Sequence, residues 1–338
     1  MQRPAVCPHL DLAGTVFRRV GLAERIRRHM IVKKKIAWLR LLFQFKGSSF
    51  EETWPRIVTA TGVASAVTYF QLRYNIQEYT LTTTPFTLIG VALSIFLGFR
   101  NNAAYDRFWE GRTLWGALVN TSRSLARQAY SLIDGSPESE ILRFRQTFVK
   151  RVIAFVHSLR HHLRGTDSLE DITAFLPGED LDAVQRSSHR PLAILQQLGQ
   201  DLAHARNQRW LHELNVPDID AQLIELSNIL GGCERIKNTP IPFTYTVLIH
   251  RIVAFYCLFL PFGLVDTIGV LTPVVVFLIS HAFFGLEAIG DEIEEPFGTE
   301  PNDLPLATIS LNIEINLLEL IGEPNRPEPL APQKDILL

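Results

Sequence analysis

Hydrophobic positions are concentrated in four stretches of the chain, near 55–72, 85–99, 241–265 and 268–289, whereas residues 134–240 are strongly polar. An α-helix needs about 20 predominantly apolar residues to cross the hydrocarbon core of a bilayer. The pattern therefore predicts an all-α integral membrane protein with four transmembrane helices and a cytosolic helical bundle. The predicted spans lie at about 55–74, 85–99, 243–262 and 268–286, and the predicted bundle at about 100–240.

The second apolar stretch begins with helix-start signals and continues far beyond the length of one span. Thr84 is a suitable N-cap and Pro85 a suitable first residue, and no other proline occurs before about Ile133. We therefore predict one long helix that leaves the membrane. Two stripes with a spacing of four residues follow its first half: a small-residue stripe that permits close helix packing, Gly90, Ser94 and Gly98, and an apolar stripe, Val91, Ile95 and Phe99.

Lysine and arginine are distributed unevenly between the two sides of the predicted spans. Basic residues precede the first span, follow the second and precede the third, whereas the loop at 75–84 has none. By the positive-inside rule, both termini and the bundle are cytoplasmic. The short connection Gly263–Thr267 predicts that the third and fourth spans form a tight hairpin.

Three segments lie outside the spans and the bundle. Residues 1–29 are basic and lack an apolar core long enough for a signal peptide, which favours a disordered extension. Residues 30–43 combine lysines with aromatic and aliphatic residues, as expected of an arm at the cytoplasmic membrane interface. The predicted channel domain covers 30–322, and 323–338 form a C-terminal tail.

Charge, cysteine content and motifs narrow the classes of function. The net charge of −2 gives no indication of nucleic-acid binding, and the 3 cysteines have neither paired nor CxxC spacing. No catalytic or nucleotide-binding fingerprint occurs. His157, His161 and His162 lack an evident third ligand and are predicted to be solvated or packed. We predict no catalytic residue, no metal and no cofactor.

Two polar features mark the fourth span and the residues after it. His281 is an ionisable residue inside the predicted span, where it could act in function or form a hydrogen bond within the helix bundle. A cluster of carboxylates follows the span, and we interpret it as a polar helix end at the membrane exit rather than as a metal site. Its members are Asp291, Glu292, Glu294 and Glu295.

Three segments carry a resemblance to a known family. The segment Phe96–Glu110, FLGFRNNAAYDRFWE, resembles the second-helix signature of bestrophins, most closely that of bacterial and plant members. Pro240–Tyr245, PIPFTY, resembles a second family segment. Asp291–Gly298, DEIEEPFG, followed by NDLP at Asn302–Pro305, resembles a third. The segments occur in the family's order, and the similarity covers about residues 30–322.

The resemblance implies a homopentamer whose central pore is lined in the membrane by the second helix. It places Val91, Ile95 and Phe99 in a hydrophobic neck, where five copies would form three stacked apolar rings. A narrow apolar constriction can act as a gate by dewetting. From the residues alone, an alternative remains: the stripe could simply pack on a neighbouring helix. The small-residue stripe would allow the second helix to pack tightly against its neighbours.

Polar residues continue the face of the neck towards the cytosol. Asn102 and Asp106 are candidates for lining a hydrated vestibule below the neck. An equally open alternative is that Asp106 and Arg107 form a structural pair that locks the helix to Glu110 or to another helix.

The resemblance also implies a second constriction at the cytosolic exit, for which Val216 and Ile219 are the candidates. Charged rings near pore mouths influence ion selectivity, and five copies of Asp218 and Asp220 would favour cations. Animal and plant bestrophins mostly pass chloride and similar anions. We predict a passive, anion-selective (chloride) channel, with a sodium or potassium channel of the same fold as the alternative.

Other functions and partners follow less directly from the sequence. A secondary transporter would show internal repeats, which are absent from the sequence, and a membrane-anchored enzyme would need a catalytic motif. The predicted partners are further copies of the chain, the lipid bilayer and permeant inorganic ions, in the bacterial inner membrane or, alternatively, in an organellar membrane.

Glu300 and Asp303 are too few for the calcium site of animal bestrophins, so no calcium gating is expected.

Overall fold

The computed structural model describes residues 47–74 and 82–330, together with the backbone of 30–31 and 336–337. The described chain is almost entirely helical. Its helices are α1 (Phe50–Tyr74), α2 (Thr83–Leu132), α3 (Glu138–Arg164), α4 (Leu169–Ile172), α5 (Gly178–Arg186), α6 (Arg190–Asn207), α7 (Val216–Asn238), α8 (Phe243–Ile268), α9 (Thr272–Glu294) and α10 (Leu306–Leu320). Two short strands, β1 (Met30–Ile31) and β2 (Ile336–Leu337), pair antiparallel.

Some predicted segments cannot be compared with the structure. The basic extension 1–29, most of the interfacial arm and the greater part of the 75–84 loop lie outside the described residues. Of the predicted tail, 323–330 is irregular in backbone and 331–335 lies outside the described residues.

The second predicted span is the start of one 50-residue helix, as expected from the uninterrupted helical pattern. Pro85 lies in the first turn, where its missing N–H costs nothing. Gly111 lies inside α2 without interrupting it, and its missing side chain allows another part of the chain to pack closely there. A Cβ atom built there would lie 3.1 Å from the ring of Phe297. The helix ends at Leu132, one residue before the predicted end.

The position of the predicted hairpin between the third and fourth spans is wrong. Gly263–Thr267 is helical, and α8 continues to Ile268. The turn is the 3₁₀ segment Gly269–Leu271, where Gly269 adopts a φ of +52°. Gly263 serves a different purpose, because a Cβ atom at this position would overlap the ring of Phe86 on α2. Its lack of a side chain lets α8 and α2 approach closely.

We expect Gly263→Ala to lower the thermal unfolding midpoint in detergent, because overpacking of a well-packed core costs about 1–3 kcal/mol. A Phe86→Leu substitution in the same chain should restore part of the loss. Gly62→Ala on α1 is the matched control, since nothing lies within 4 Å of its added Cβ. An unchanged midpoint for Gly263→Ala would show that the two helices separate without cost.

Two apolar cores organise the described helices. The first joins α1, α8, α9 and the N-terminal half of α2; its buried members are Ile57, Ala60, Ala64, Phe86, Leu93, Leu97, Ile249, Val253, Cys257, Leu260, Val276 and Phe284. The second is the core of the helical bundle, which includes Trp115, Phe148, Phe155 and Leu226. Because α2 contributes to both cores, it connects the two parts of the molecule.

The bundle contains more of the chain than the sequence indicated. Besides the predicted region at 100–240, its core includes Phe297, Leu304 and, from α10, Ile313 and Leu317. The chain therefore returns to the bundle after α9. This C-terminal contribution brings Glu314 of α10 within 2.8 Å of His157 on α3.

Two helical segments of the described chain are long and apolar enough to cross a membrane: Thr83–Leu132 and Phe243–Glu294, the second comprising α8 and α9. In each, 22% of the most apolar window is buried within the chain. A core helix of a soluble protein would be mostly buried. Helix α1 has 25 residues but is not among these segments.

Candidate functional site

The N-terminal half of α2 has two opposite faces with different surroundings. Leu93 and Leu97 are buried against α8 and α9, with exposed fractions of 3% and 0%. Val91, Ile95 and Phe99 are 58%, 52% and 64% exposed. Since successive residues of an α-helix are rotated by about 100°, this stripe points away from the buried face. The stripe is therefore not packed on another described helix of the same chain.

The small-residue stripe on α2 has mixed surroundings within one chain. A Cβ atom at Gly90 would lie 2.7 Å from the hydroxyl oxygen of Tyr256, so α2 and α8 approach closely there. Ser94 is exposed, and its hydroxyl donates to the Gly90 carbonyl at 2.7 Å. Gly98 has nothing within 4 Å of an added Cβ. Close packing at Ser94 and Gly98 against a second copy stays a prediction.

A charged network lies on the buried side of α2, one residue beyond the apolar stripe. The Arg100 side chain is completely buried and pairs with Asp291, while Glu294 lies 3.6 Å away. Its Nη1 donates to the Glu287 carbonyl oxygen at 3.4 Å. The Glu287 side chain is 1% exposed and pairs in turn with His250.

The network continues to α1, because Arg56 Nη1 lies 3.3 Å from Glu287 Oε2. It thus connects α1, α2, α8 and α9 below their shared apolar core. Sequence reasoning missed these pairs and interpreted Asp291 and Glu294 only as a polar helix end. A signal was available, since Arg100 and Glu287 are charged residues that interrupt otherwise apolar helix faces.

About two turns further along α2, Arg107 connects the helix to the bundle. Its guanidinium donates to the carbonyl oxygens of Glu294 at 3.1 Å and Ile236 at 2.6 Å, and also to that of Thr239. Carbonyl groups at helix C-termini lack intrahelical donors and attract cations. Arg107 therefore locks α2 to α7 and α9 without using Asp106.

The two vestibule candidates lie on the exposed side of α2. Asn102 and Asp106 are both exposed, and Asp106 has no ion pair among the described residues. Glu110 pairs with Arg235 of α7 rather than with Arg107. The structure thus leaves the Asn102 and Asp106 side chains on the same exposed face as the apolar stripe.

The candidates for the cytosolic exit have different surroundings from those expected. Asp218 and Asp220 are exposed, and Val216 is partly buried. Ile219 is 0% exposed in the bundle core, which does not fit a pore-lining side chain. The reason is the helical phase of α7, in which Ile219, Leu223 and Leu226 share the buried face.

Sequence reasoning missed the apolar side chain that is accessible in this region. Leu214, in the 3₁₀ turn Glu213–Asn215 before α7, is 79% exposed. The start of α7 is held near the end of α2, because Gln128 Nε2 donates to the Asp218 carbonyl oxygen at 3.2 Å.

The histidines of α3 are partnered within the bundle. His157 is buried, and its Nε2 lies 2.8 Å from Glu314 Oε2. His161 Nε2 lies 2.7 Å from Asp171 Oδ2. His162 Nε2 lies 2.8 Å from Glu234 Oε1. Burial lowers the pKa of His162, although its hydrogen bond to Glu234 acts in the opposite direction.

The loop after α9 contains a buried carboxyl group. Asp303 Oδ2 accepts a hydrogen bond from the Glu300 amide at 2.5 Å, and Asn302 donates to Glu292 at 3.0 Å. The pKa of Asp303 is raised to about 7, mainly by burial. The charges of Glu300 and Glu292 act in the same direction, whereas the hydrogen bond from the Glu300 amide and the charge of Arg164 oppose them. This loop is the region that the resemblance associates with calcium in animal bestrophins.

We expect Asp303→Asn to flatten the decrease of the unfolding midpoint as the pH rises from about 5 to 8. The folded-state pKa of Asp303 is raised, so its protonated form stabilises the fold at low pH, and that contribution is lost as the pH rises to about 7. An asparagine stays neutral throughout. Glu179→Gln, at an exposed carboxyl, should follow the wild-type profile. Parallel profiles for Asp303→Asn and wild type would exclude the assignment.

A family model and individual relatives both match this chain over most of its length. The model of the family described as bacterial/fungal bestrophin protein matches residues 30–319. A voltage-dependent anion channel-forming protein from Ralstonia nicotianae is 43% identical over 308 residues, covering 91% of this chain and 100% of that protein. A protein of the same description from Escherichia coli is 39% identical over 305 residues, covering 90% and 98%.

Solved structures agree with this result. A variant of a bacterial bestrophin homologue from Klebsiella pneumoniae has a TM-score of 0.75 and 36% identity, covering 79% of this chain and 98% of that chain. A structure described as that of a membrane protein has a TM-score of 0.76 and 35% identity, covering 81% and 100%. Both the family model and the relatives extend over the apolar helices and the bundle. The chain belongs to the bestrophin family.

Proposed function

We propose that five copies of the chain form a passive, anion-selective channel in the bacterial inner membrane. Helices α1, α2, α8 and α9 supply the four spans, and both termini are cytoplasmic. Relatives 43% and 39% identical are named voltage-dependent anion channel-forming proteins, which supports anion over cation conduction and a channel over an enzyme. The channel domain at 30–322 agrees in extent with the family match at 30–319.

The observation that carries the proposal is the exposure of Val91, Ile95 and Phe99 on the side of α2 opposite its intrachain packing. An apolar stripe in this position must face lipid or other copies of the chain. In a ring of five copies, the three positions form stacked apolar rings, the hydrophobic neck. Asn102 and Asp106 continue the same face as a hydrated vestibule.

The same helix connects the neck to the exit. From Phe99 to the Gln128 contact with α7, α2 rises by about 44 Å. For the second constriction, we keep the partly exposed Val216, add the exposed Leu214 and omit Ile219, which is buried within one chain. Asp218 and Asp220 lie nearby and are exposed, which is the observation favouring the cation channel as the second candidate.

The deciding experiment is the reversal potential of the purified protein in planar bilayers under a KCl gradient. A reversal near the chloride equilibrium potential supports the anion channel. One near the potassium potential overturns it in favour of the cation channel and directs mutagenesis to Asp218 and Asp220. Native mass spectrometry in detergent tests the pentamer independently, and a monomer as the only species would exclude it.

A further inference from the structure

Three potential metal ligands from separate elements converge on the surface of the bundle. They are His162 near the end of α3, His189 directly before α6 and Glu234 in the last turns of α7. The Nε2 atoms of His162 and His189 lie 2.8 Å and 2.6 Å from Glu234 Oε1. The two imidazole centroids are 4.6 Å apart, and one ligand atom from each residue lies within 4.8 Å of the others.

We propose that His162, His189 and Glu234 bind one divalent transition-metal ion of the zinc class, with water completing the coordination. Two imidazoles and one carboxylate form a donor set that suits zinc and its neighbours, whereas calcium and magnesium prefer oxygen ligands. Three protein ligands leave a position open for water. The site is independent of the proposed channel function, because it lies in the bundle and not on the exposed face of α2.

The geometry requires only small adjustments for an ion to enter. Metal–ligand distances of about 2.0–2.2 Å in a tetrahedron place neighbouring ligand atoms about 3.3 Å apart. The ligand atoms that now share hydrogen bonds must therefore separate by less than about 1 Å. The side chains of His162, His189 and Glu234 are 29%, 31% and 26% exposed. They are thus accessible to an ion in solution and have room to rotate.

The hydrogen bonds around the site determine what the ion displaces. His189 Nδ1 accepts from the Leu192 amide at 3.2 Å, so in the metal-free protein the ring proton is on Nε2. An ion at Nε2 displaces this proton, which moves to Nδ1. The Leu192 amide, in the first turn of α6, then loses Nδ1 as its acceptor and donates to water instead. Lys237 is the nearby cation, and its Nζ donates to the His162 carbonyl oxygen at 2.7 Å.

Binding would link three helices that are distant in sequence. An ion that binds the folded chain and not the unfolded chain stabilises the fold by RT ln(1 + c/Kd), where c is the free ion concentration, so the unfolding midpoint rises with the ion concentration. The stabilisation should therefore depend on the zinc concentration. A purely hydrogen-bonded His–Glu–His arrangement predicts no such dependence.

The test uses the full-length protein without a histidine tag, purified in detergent, stripped with EDTA and titrated with zinc chloride. We expect one zinc ion per chain and an unfolding midpoint that rises with zinc but not with magnesium. His189→Gln and Glu234→Gln should each lower the zinc affinity about tenfold or more and remove the rise in midpoint. His204→Gln is the matched control, because His204 is an exposed histidine elsewhere on α6.

Two outcomes overturn the proposal. One is zinc binding by His189→Gln and Glu234→Gln with the wild-type affinity; the other is the absence of stoichiometric binding by the wild-type chain. The midpoint of each variant in EDTA shows whether it is folded. If His189→Gln does not fold, His162→Gln replaces it in the comparison.

Discussion

Replacing both Ile95 and Phe99 with alanine should raise the current through the channel by about tenfold or more. In the proposed pentamer, the neck would block ions because a narrow apolar ring is poorly hydrated. Smaller side chains widen the ring and allow water to fill it. A tenfold rise corresponds to a barrier that is lower by about 1.4 kcal/mol. This is a small change for a pentamer in which ten side chains are truncated. Planar-bilayer recordings of wild type and variant at equal protein density measure the effect.

A control must separate the neck from general loosening of α2. Phe96 is 53% exposed, similar to Ile95 at 52%, but it lies about 100° around the helix from the centre of the stripe. Phe96→Ala should leave the current within a factor of about two of wild type. If Phe96→Ala raises the current as much, or if the double variant leaves it unchanged while remaining assembled, the stripe is not the gate.

The long helix and its exposed stripe were accessible from the sequence because both depend on local signals. Proline and glycine placement set the limits of α2, and a spacing of four residues put Val91, Ile95 and Phe99 on one face. The face that packs within the chain is recognisable from Leu93 and Leu97 only after their partners are known. Sequence periodicity predicted that Val91, Ile95 and Phe99 share a face but not the direction in which that face points.

The errors arose where a residue type serves two purposes and a distant partner decides between them. Gly263 resembled a turn, but it is the point at which Phe86 packs against α8. Ile219 was predicted at the exit on a family resemblance alone; within one chain, the phase of α7 buries it on the face that it shares with Leu223. In each case, the deciding contact is made by another part of the fold and leaves no local pattern.

Long-range polar contacts were missed for the same reason. His162 and His189 both contact Glu234, and the three residues approach one another only when α3, α6 and α7 pack together. Arg100 is likewise separated from Asp291 by most of the chain. A charged residue in an apolar segment indicates that a partner exists, but its position in the sequence does not identify the partner.

Arg100→Met should lower the free energy of unfolding by about 3 kcal/mol or more. The substitution keeps an unbranched apolar stem and removes the guanidinium, which leaves Asp291 and Glu294 without their buried cation. Breaking a buried ion pair on one side typically costs about 3–5 kcal/mol. The lower part of this range is expected, since the Asp291 side chain is 38% exposed and can be partly solvated. Denaturant unfolding in mixed micelles measures the loss.

Two further variants distinguish the ion pair from a simple packing defect. Arg112→Met removes an exposed guanidinium that lies 5.5 Å from the Trp109 ring centroid, and it should cost less than about 1 kcal/mol. Combining Arg100→Met with Asp291→Asn removes both charges of the Arg100–Asp291 pair, leaves only Glu294 unpaired, and should recover part of the loss. If the double variant is as unstable as Arg100→Met with Asp291 intact, packing rather than charge holds α2 against α9. If Arg100→Met is as stable as wild type, the network contributes nothing to the fold.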